Sequence, residues 1–163
     1  MSGGMRGPVR RAQLIAPFGV GALTVLRDGT SVIVAGLDHW YKNADGRTDN
    51  VNPSEFEISE WRLQEALGVK ALRQPPDFRR RRPYQSIPNT ELTLPALRFP
   101  QYHFCPDCRV LTKIPLSASG TIECSRCKSE GKKRVLHQVP FVAMCEEGHI
   151  RDFPWREWVH ETL

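Results

Sequence analysis

The sequence predicts a small mixed α+β chain, with a β-rich amino-terminal part, short helices and a compact cysteine-rich ribbon. Three observations predict it. Two Cys-x-x-Cys pairs stand fifteen residues apart. An Asp-Gly turn signal separates two β-prone runs near the start. Pro and Gly, 13 and 12 of 163 residues, cut the chain into short elements. Hydrophobic residues make up 40%, enough for a modest core, and charged residues 25%, ordinary for a globular protein. Collagen, coiled coil and wholesale disorder are excluded by this composition.

Taken in order, residues 1–10 read as a flexible leader. Residues 10–25 read as extended, interrupted by Pro17, Gly19 and Gly21. The PFGVG stretch lacks the glycine spacing and Lys-Ser/Thr ending of a phosphate loop, so it reads as a structural turn. Residues 22–26 and 31–35 are the hairpin candidate, with 27–30 (RDGT) as its turn. Leu37-Asp38-His39-Trp40-Tyr41 reads as packing. Residues 42–53 form a polar loop. Ser59 is the expected cap of a helix over 60–67 that stops at Gly68, with Trp61, Leu63 and Leu67 buried.

Six prolines between 75 and 100 then mark an irregular connection. The expected division is therefore a subdomain over 1–74, a proline- and arginine-rich connection over 75–100, and a ribbon with a terminal helix over 101–163. In the last part, 139–143 reads as a strand. Asp152 and Pro154 open a helix whose Trp155, Trp158 and Val159 share one face.

Cys105-Pro-Asp-Cys108 and Cys124-Ser-Arg-Cys127 carry the strongest chemical signal. A Cys-x-x-Cys turn is a tight knuckle that can place two thiolates ~2.3 Å from one ion, and two knuckles complete a tetrahedron. The reading is a structural Zn2+ held by Cys105, Cys108, Cys124 and Cys127. Residues 112–122 are expected to run out and back as a hairpin turning at 117–120. Four thiolates leave no position for a reacting water. A zinc ion with four thiolates carries −2, which brings the chain from its formal +5 to about +3. Disulfides would need an oxidising compartment, and the amino terminus shows no secretory pattern, so a cytoplasmic location is expected. Cys145 and His149 could chelate a second ion, although two ligands alone do not complete a site.

The basic excess is 23 against 18, and Arg outnumbers Lys by 17 to 6. Arg suits phosphate and carboxylate partners through its planar fork. Arg79, Arg80, Arg81 and Arg82 stand between prolines. Lys128, Lys132, Lys133 and Arg134 follow the last Cys pair. Both clusters are candidate nucleic-acid contacts, and a solvated face or an acidic protein partner is the alternative. No apolar run approaches the ~18 residues that span a bilayer. Paired carboxylates beside a His cluster, a nucleophile elbow and a phosphate loop are all missing, so no enzyme is expected.

Several stretches together resemble the amino-terminal part of the DrmB family of bacterial DISARM anti-phage systems. They are residues 10–21 (RRAQLIAPFGVG), 31–40 (SVIVAGLDHW), 62–78 (RLQEALGVKALRQPPDF), the two Cys-x-x-Cys pairs, and 141–160 (FVAMCEEGHIRDFPWREWVH). The resemblance implies a non-enzymatic accessory subunit that pairs with a helicase-like ATPase and engages DNA during phage restriction. Members of that family are several times longer, so the chain is read as a fragment or split part of such a protein. The alternative is a pure protein-interaction scaffold, suited by the aromatic terminal helix and the proline-rich middle.

Overall fold

The structure, a computed structural model, describes residues 10–42, 51–77, 79, 84, 87–90 and 92–161. Its strands in chain order are β1 (Leu23–Val25), β2 (Ser31–Val34), β3 (Glu57–Ile58), β4 (Leu72–Arg73), β5 (Ala96–Arg98), β6 (Tyr102–Phe104), β7 (Leu111–Lys113), β8 (His137–Gln138), β9 (Val142–Met144) and β10 (Ile150–Asp152). The helices are α1 (Trp61–Leu67), α2 (Ser125–Ser129) and α3 (Trp155–His160), with single 3-10 turns elsewhere. This is the small mixed α+β class. Among the described residues, no helix is long and apolar enough to cross a membrane.

The chain divides into two compact units. Among the described residues, one takes 23–33 and 97–161, and the other takes 10–22 and 34–96. The β1–β2 hairpin therefore belongs with the cysteine-bearing segment and not with the rest of residues 1–74. Gln138 supplies the reason. Its amide accepts a bond from Ser31 N at 2.7 Å, and its Nε2 donates to Ser31 O at 3.1 Å and to Pro100 O at 2.7 Å.

In the cysteine-bearing unit, β1 and β2 pair antiparallel with Thr24 opposite Val32. The expected turn closes them. The Asp28 carboxylate accepts a bond from Thr30 N at 3.0 Å, which holds its pKa below the usual value. Gly29 takes φ +83°, open to glycine at no steric cost. A second sheet runs β7–β6–β8, with His103 opposite both Thr112 and Gln138.

This corrects the hairpin expected over 112–122. β7 pairs back onto β6, on the near side of the first knuckle, and Pro115, which has no N–H to donate, stands two residues past its end. β9 and β10 form a separate hairpin with Ala143 opposite Arg151.

The terminal helix starts later than expected. Pro154 occupies the capping position, and Asp152 ends β10, where its carboxylate accepts from Gln101 N at 2.8 Å and faces Lys113 at 3.5 Å. Trp155 is half-buried and packs on Phe153 at 4.6 Å and Phe141 at 5.7 Å between ring centres. Trp158 and Val159 are exposed.

The other unit is built on Leu14, Val34 and Trp40, with Phe18, Tyr41 and Leu94 against them. Trp40 Nε1 donates to Ala35 O at 3.0 Å and its ring is buried, whereas Leu37, Asp38 and His39, also expected to pack, are exposed. The PFGVG turn is structural too. A Cβ on Gly19 would stand 2.7 Å from Ile15 O, closer than real contacts allow. Helix α1 ends at Gly68 in the left-handed conformation, as its sequence implies. Its start differs, since Glu60 and not Ser59 is the cap and no side-chain capping bond forms. Its burial differs as well. Trp61, Leu63 and Leu67 are all exposed, because the short β3–β4 pair brackets the helix as an excursion on which no described residue packs deeply.

Candidate metal centre

The first knuckle sits at the tip between β6 and β7. Cys105 N donates to Val110 O at 3.0 Å, and Arg109 N donates back to Cys105 O at 2.8 Å. Arg109 takes φ +60° to make the reversal. The second knuckle opens a helix. Cys124 caps α2, receives Lys128 N on its carbonyl at 3.0 Å, and donates its own N–H to Arg134 O at 2.7 Å. Lys132 N reaches Cys127 O at 2.9 Å and closes the turn.

These turns bring the four sulfurs together. Cys105 Sγ lies 3.7 Å from Cys127 Sγ, and Cys108 Sγ lies 3.6 Å from Cys124 Sγ. All four fall within 4.8 Å of one another. A tetrahedral ion bound at ~2.3 Å to thiolates needs edges of about 3.8 Å, so the donor set fits such an ion with little adjustment. Cys105, Cys124 and Cys127 are buried and Cys108 is partly so. The four residues form a cluster that can hold a metal ion, and they fill all positions of a tetrahedron.

The surroundings differentiate the thiols. Backbone N–H groups of Cys108 and Asp107 aim at the Cys105 sulfur and lower its pKa to about 7 against the burial that opposes them. Burial pushes the Cys127 thiol up to about 12. The remaining core here is thin. Leu136 is buried, and Ile114 and Ile122 pack against it and the cysteines. With so little apolar mass, a bound ion contributes directly to holding the knuckles.

The basic candidates are distributed unevenly. Lys128 Nζ pairs with Glu123 at 3.2 Å, Lys132 Nζ with Glu130 at 3.1 Å, and Arg134 Nε with Asp107 at 3.2 Å. Lys133 has no ion pair among the described residues. Arg79 is in the other unit and is committed internally. It pairs with Glu55 at 2.6 Å and Asp77 at 3.2 Å, and its guanidinium lies 5.5 Å over the Phe56 ring. Arg80, Arg81 and Arg82 lie outside the described residues.

Sequence reasoning missed Glu55 and Asn89 as the partners that organise Arg79. The one available signal was Arg79's proximity to Asp77. Cys145 and His149 do come together, at the β9–β10 tip, with Sγ 3.3 Å from Nδ1.

Residues 10–162 match the family described as a domain of unknown function, DUF8724. The DISARM protein DrmB of Bacillus paralicheniformis (strain ATCC 9945a / NCIMB 11709 / CD-2) is 33% identical over 86 residues, covering 47% of this chain and 14% of that protein. The chain thus spans well under two thirds of that relative's length. With a matched span of 10–162, a DrmB-like stretch and a cysteine cluster within that span, the chain belongs to the DUF8724 family and is related to DrmB.

Proposed function

We propose that the chain is a non-enzymatic, zinc-stabilised accessory module of a DISARM-type anti-phage system, binding a helicase-like ATPase and contacting DNA. The closed four-cysteine cluster within a DrmB-like chain carries this reading. Zinc suits four clustered thiolates because it is soft enough for sulfur and has no preference against a tetrahedron. Its role here is structural. DNA contact rests on Lys128, Lys132, Lys133 and Arg134 near the knuckles, and on Arg80, Arg81 and Arg82. Arg79 drops out of that set because its guanidinium serves Glu55 and Asp77.

The test is binding of the zinc-loaded chain to single- and double-stranded DNA across a salt series, with pull-down of a DISARM helicase-like ATPase. Affinity that falls steeply with salt supports phosphate contacts. Absence of both DNA and ATPase binding refutes the reading.

A pure interaction scaffold without DNA contact is favoured by one specific observation. Lys128, Lys132 and Arg134 each already face a carboxylate, while Phe141 and Trp158 are exposed and the exposed Val159 lines, with Tyr102, Leu111, Trp155 and the charged Lys113, Arg156 and Glu157, a groove of about 620 Å³. Reversing the charge of Lys133 and Arg134 separates the two. Loss of DNA binding supports the first reading, and loss of ATPase binding alone supports the scaffold.

A further inference from the structure

The β9–β10 tip repeats the local chemistry of the first knuckle without belonging to it. Cys145 N donates to His149 O at 3.2 Å, and Gly148 N donates to Cys145 O at 3.0 Å, with Gly148 at φ +83°. Backbone N–H groups of His149, Glu147 and Gly148 point at the Cys145 sulfur, as those of Cys108 and Asp107 point at Cys105. Such N–H groups stabilise a thiolate and fix its direction. The strand pairing of Ile150 with Met144 places His149 at the hairpin tip, four residues on from Cys145.

The separation is the informative quantity. Cys145 Sγ and His149 Nδ1 stand 3.3 Å apart. One tetrahedral ion bound to a thiolate at ~2.3 Å and an imidazole at ~2.0 Å places those atoms about 3.5 Å apart. Both side chains are exposed, His149 by 80%, so an ion there is reached from solvent and keeps its other positions open. The Glu147 carboxylate, 3.7 Å from Nδ1, adds negative charge beside the pair.

The geometry points to a second, open metal site. In it, Cys145 and His149 are a bidentate thiolate–imidazole chelate for a zinc-class divalent cation, whose two remaining positions take donors from outside this segment. The site is separate from the four-cysteine cluster and does not depend on how that cluster is read.

The test is a cobalt(II) titration of the 163-residue chain, already zinc-loaded and kept reduced by a non-thiol reductant. Bound metal is counted by elemental analysis, and thiolate coordination is followed by charge-transfer absorption. The expected result is one further equivalent of cobalt with a thiolate charge-transfer band. That equivalent is lost in Cys145→Ser and in His149→Ala, while the zinc of the four-cysteine cluster is retained in both. These are exposed tip residues, and an unchanged circular dichroism spectrum verifies that each variant folds. Absence of the second equivalent in the parent chain, or its survival in either variant, overturns the site. Loss of zinc from the parent chain instead strikes the four-cysteine reading alone.

Discussion

Arg79 and Glu55 form a tie in which a residue of the tetra-arginine run is turned inward. Arg79 Nη1 donates to Glu55 Oε1 at 2.6 Å, and the other carboxylate oxygen accepts from Asn89 Nδ2, also at 2.6 Å. Asn89 is buried. It bonds Asn52 in both directions, accepting from its N–H at 2.8 Å and donating to its carbonyl at 3.0 Å. Glu55 raises the Arg79 pKa through that bond, so the cation is locked in its charged form.

Arg79→Ala should therefore destabilise the unit that holds residues 10–22 and 34–96, by about 1–3 kcal/mol, the range for losing a charge-assisted bond to a partly buried partner. Arg79→Lys should recover only part, since an ammonium cannot reach both carboxylates and cover Phe56 with one plane. Urea midpoints of the three proteins check this. Equal midpoints would mean the tie is incidental.

Removing the metal should release the knuckles. Chelation, or Cys124→Ser, is expected to expose residues 101–139 to protease while leaving residues 52–74 protected, because metal binding supplies folding free energy to a segment with little apolar core. Mapped cleavage sites from limited proteolysis decide it. Resistance of 101–139 in the metal-free chain would contradict a structural ion.

Gln138→Glu should cost about 2–3 kcal/mol, because the new carboxylate would face the Ser31 and Pro100 carbonyls with no hydrogen to offer. Gln138→Ala should cost less, since Ser31 O keeps the bond from Phe99 N at 3.2 Å. Amide exchange at Ser31 reads the loss of its acceptor and should accelerate in Gln138→Ala, while urea midpoints read the cost of Gln138→Glu.

Acid should weaken the β7–β6–β8 sheet through His103. This side chain is fully buried, with Nδ1 donating to Gln101 O at 2.9 Å and Nε2 facing Arg98 at 3.4 Å. Burial lowers its pKa below the ordinary 6.5, with the Arg98 charge acting in the same direction. The unfolded chain takes up a proton that the folded chain refuses. The neutral ring's contribution is therefore fully present above about pH 6.5 and declines as pH falls below it. Stability against urea, measured from pH 7.5 to 5.5, should decrease, and the slope should flatten in His103→Gln. An unchanged slope would place the acid sensitivity elsewhere.

What the sequence made legible was short in range. The spacing of two Cys-x-x-Cys pairs states its own geometry, because each knuckle is a local turn. Asp28-Gly29 states a hairpin for the same reason. What it hid was long in range. Nothing near Arg79 announces Glu55, 24 residues earlier, so a run of like charges reads as a solvated strip. Helix α1 shows the opposite failure. Its apolar residues suggest a buried face, but burial depends on what lies opposite, and the fold leaves Trp61 in the open. The path of the chain between the two knuckles was misjudged because β6, before the first cysteine, competes successfully for β7.

The amide of Gln138 meets Ser31 across 107 residues of chain. This makes the cysteine-bearing unit discontinuous in sequence, with residues 34–96 standing between its two segments along the chain. During synthesis the β1–β2 hairpin leaves the ribosome long before its amide clamp; β5 covers the β2 edge first, and the Gln138 amide reaches Ser31 only after residue 138 has emerged. The intervening unit has time to fold first and shortens the effective loop that must close. The order of manufacture is thus written into the topology. The earliest strands are secured in two steps, and a nascent chain stopped between residues 98 and 138 carries them paired with β5 but without the Gln138 clamp.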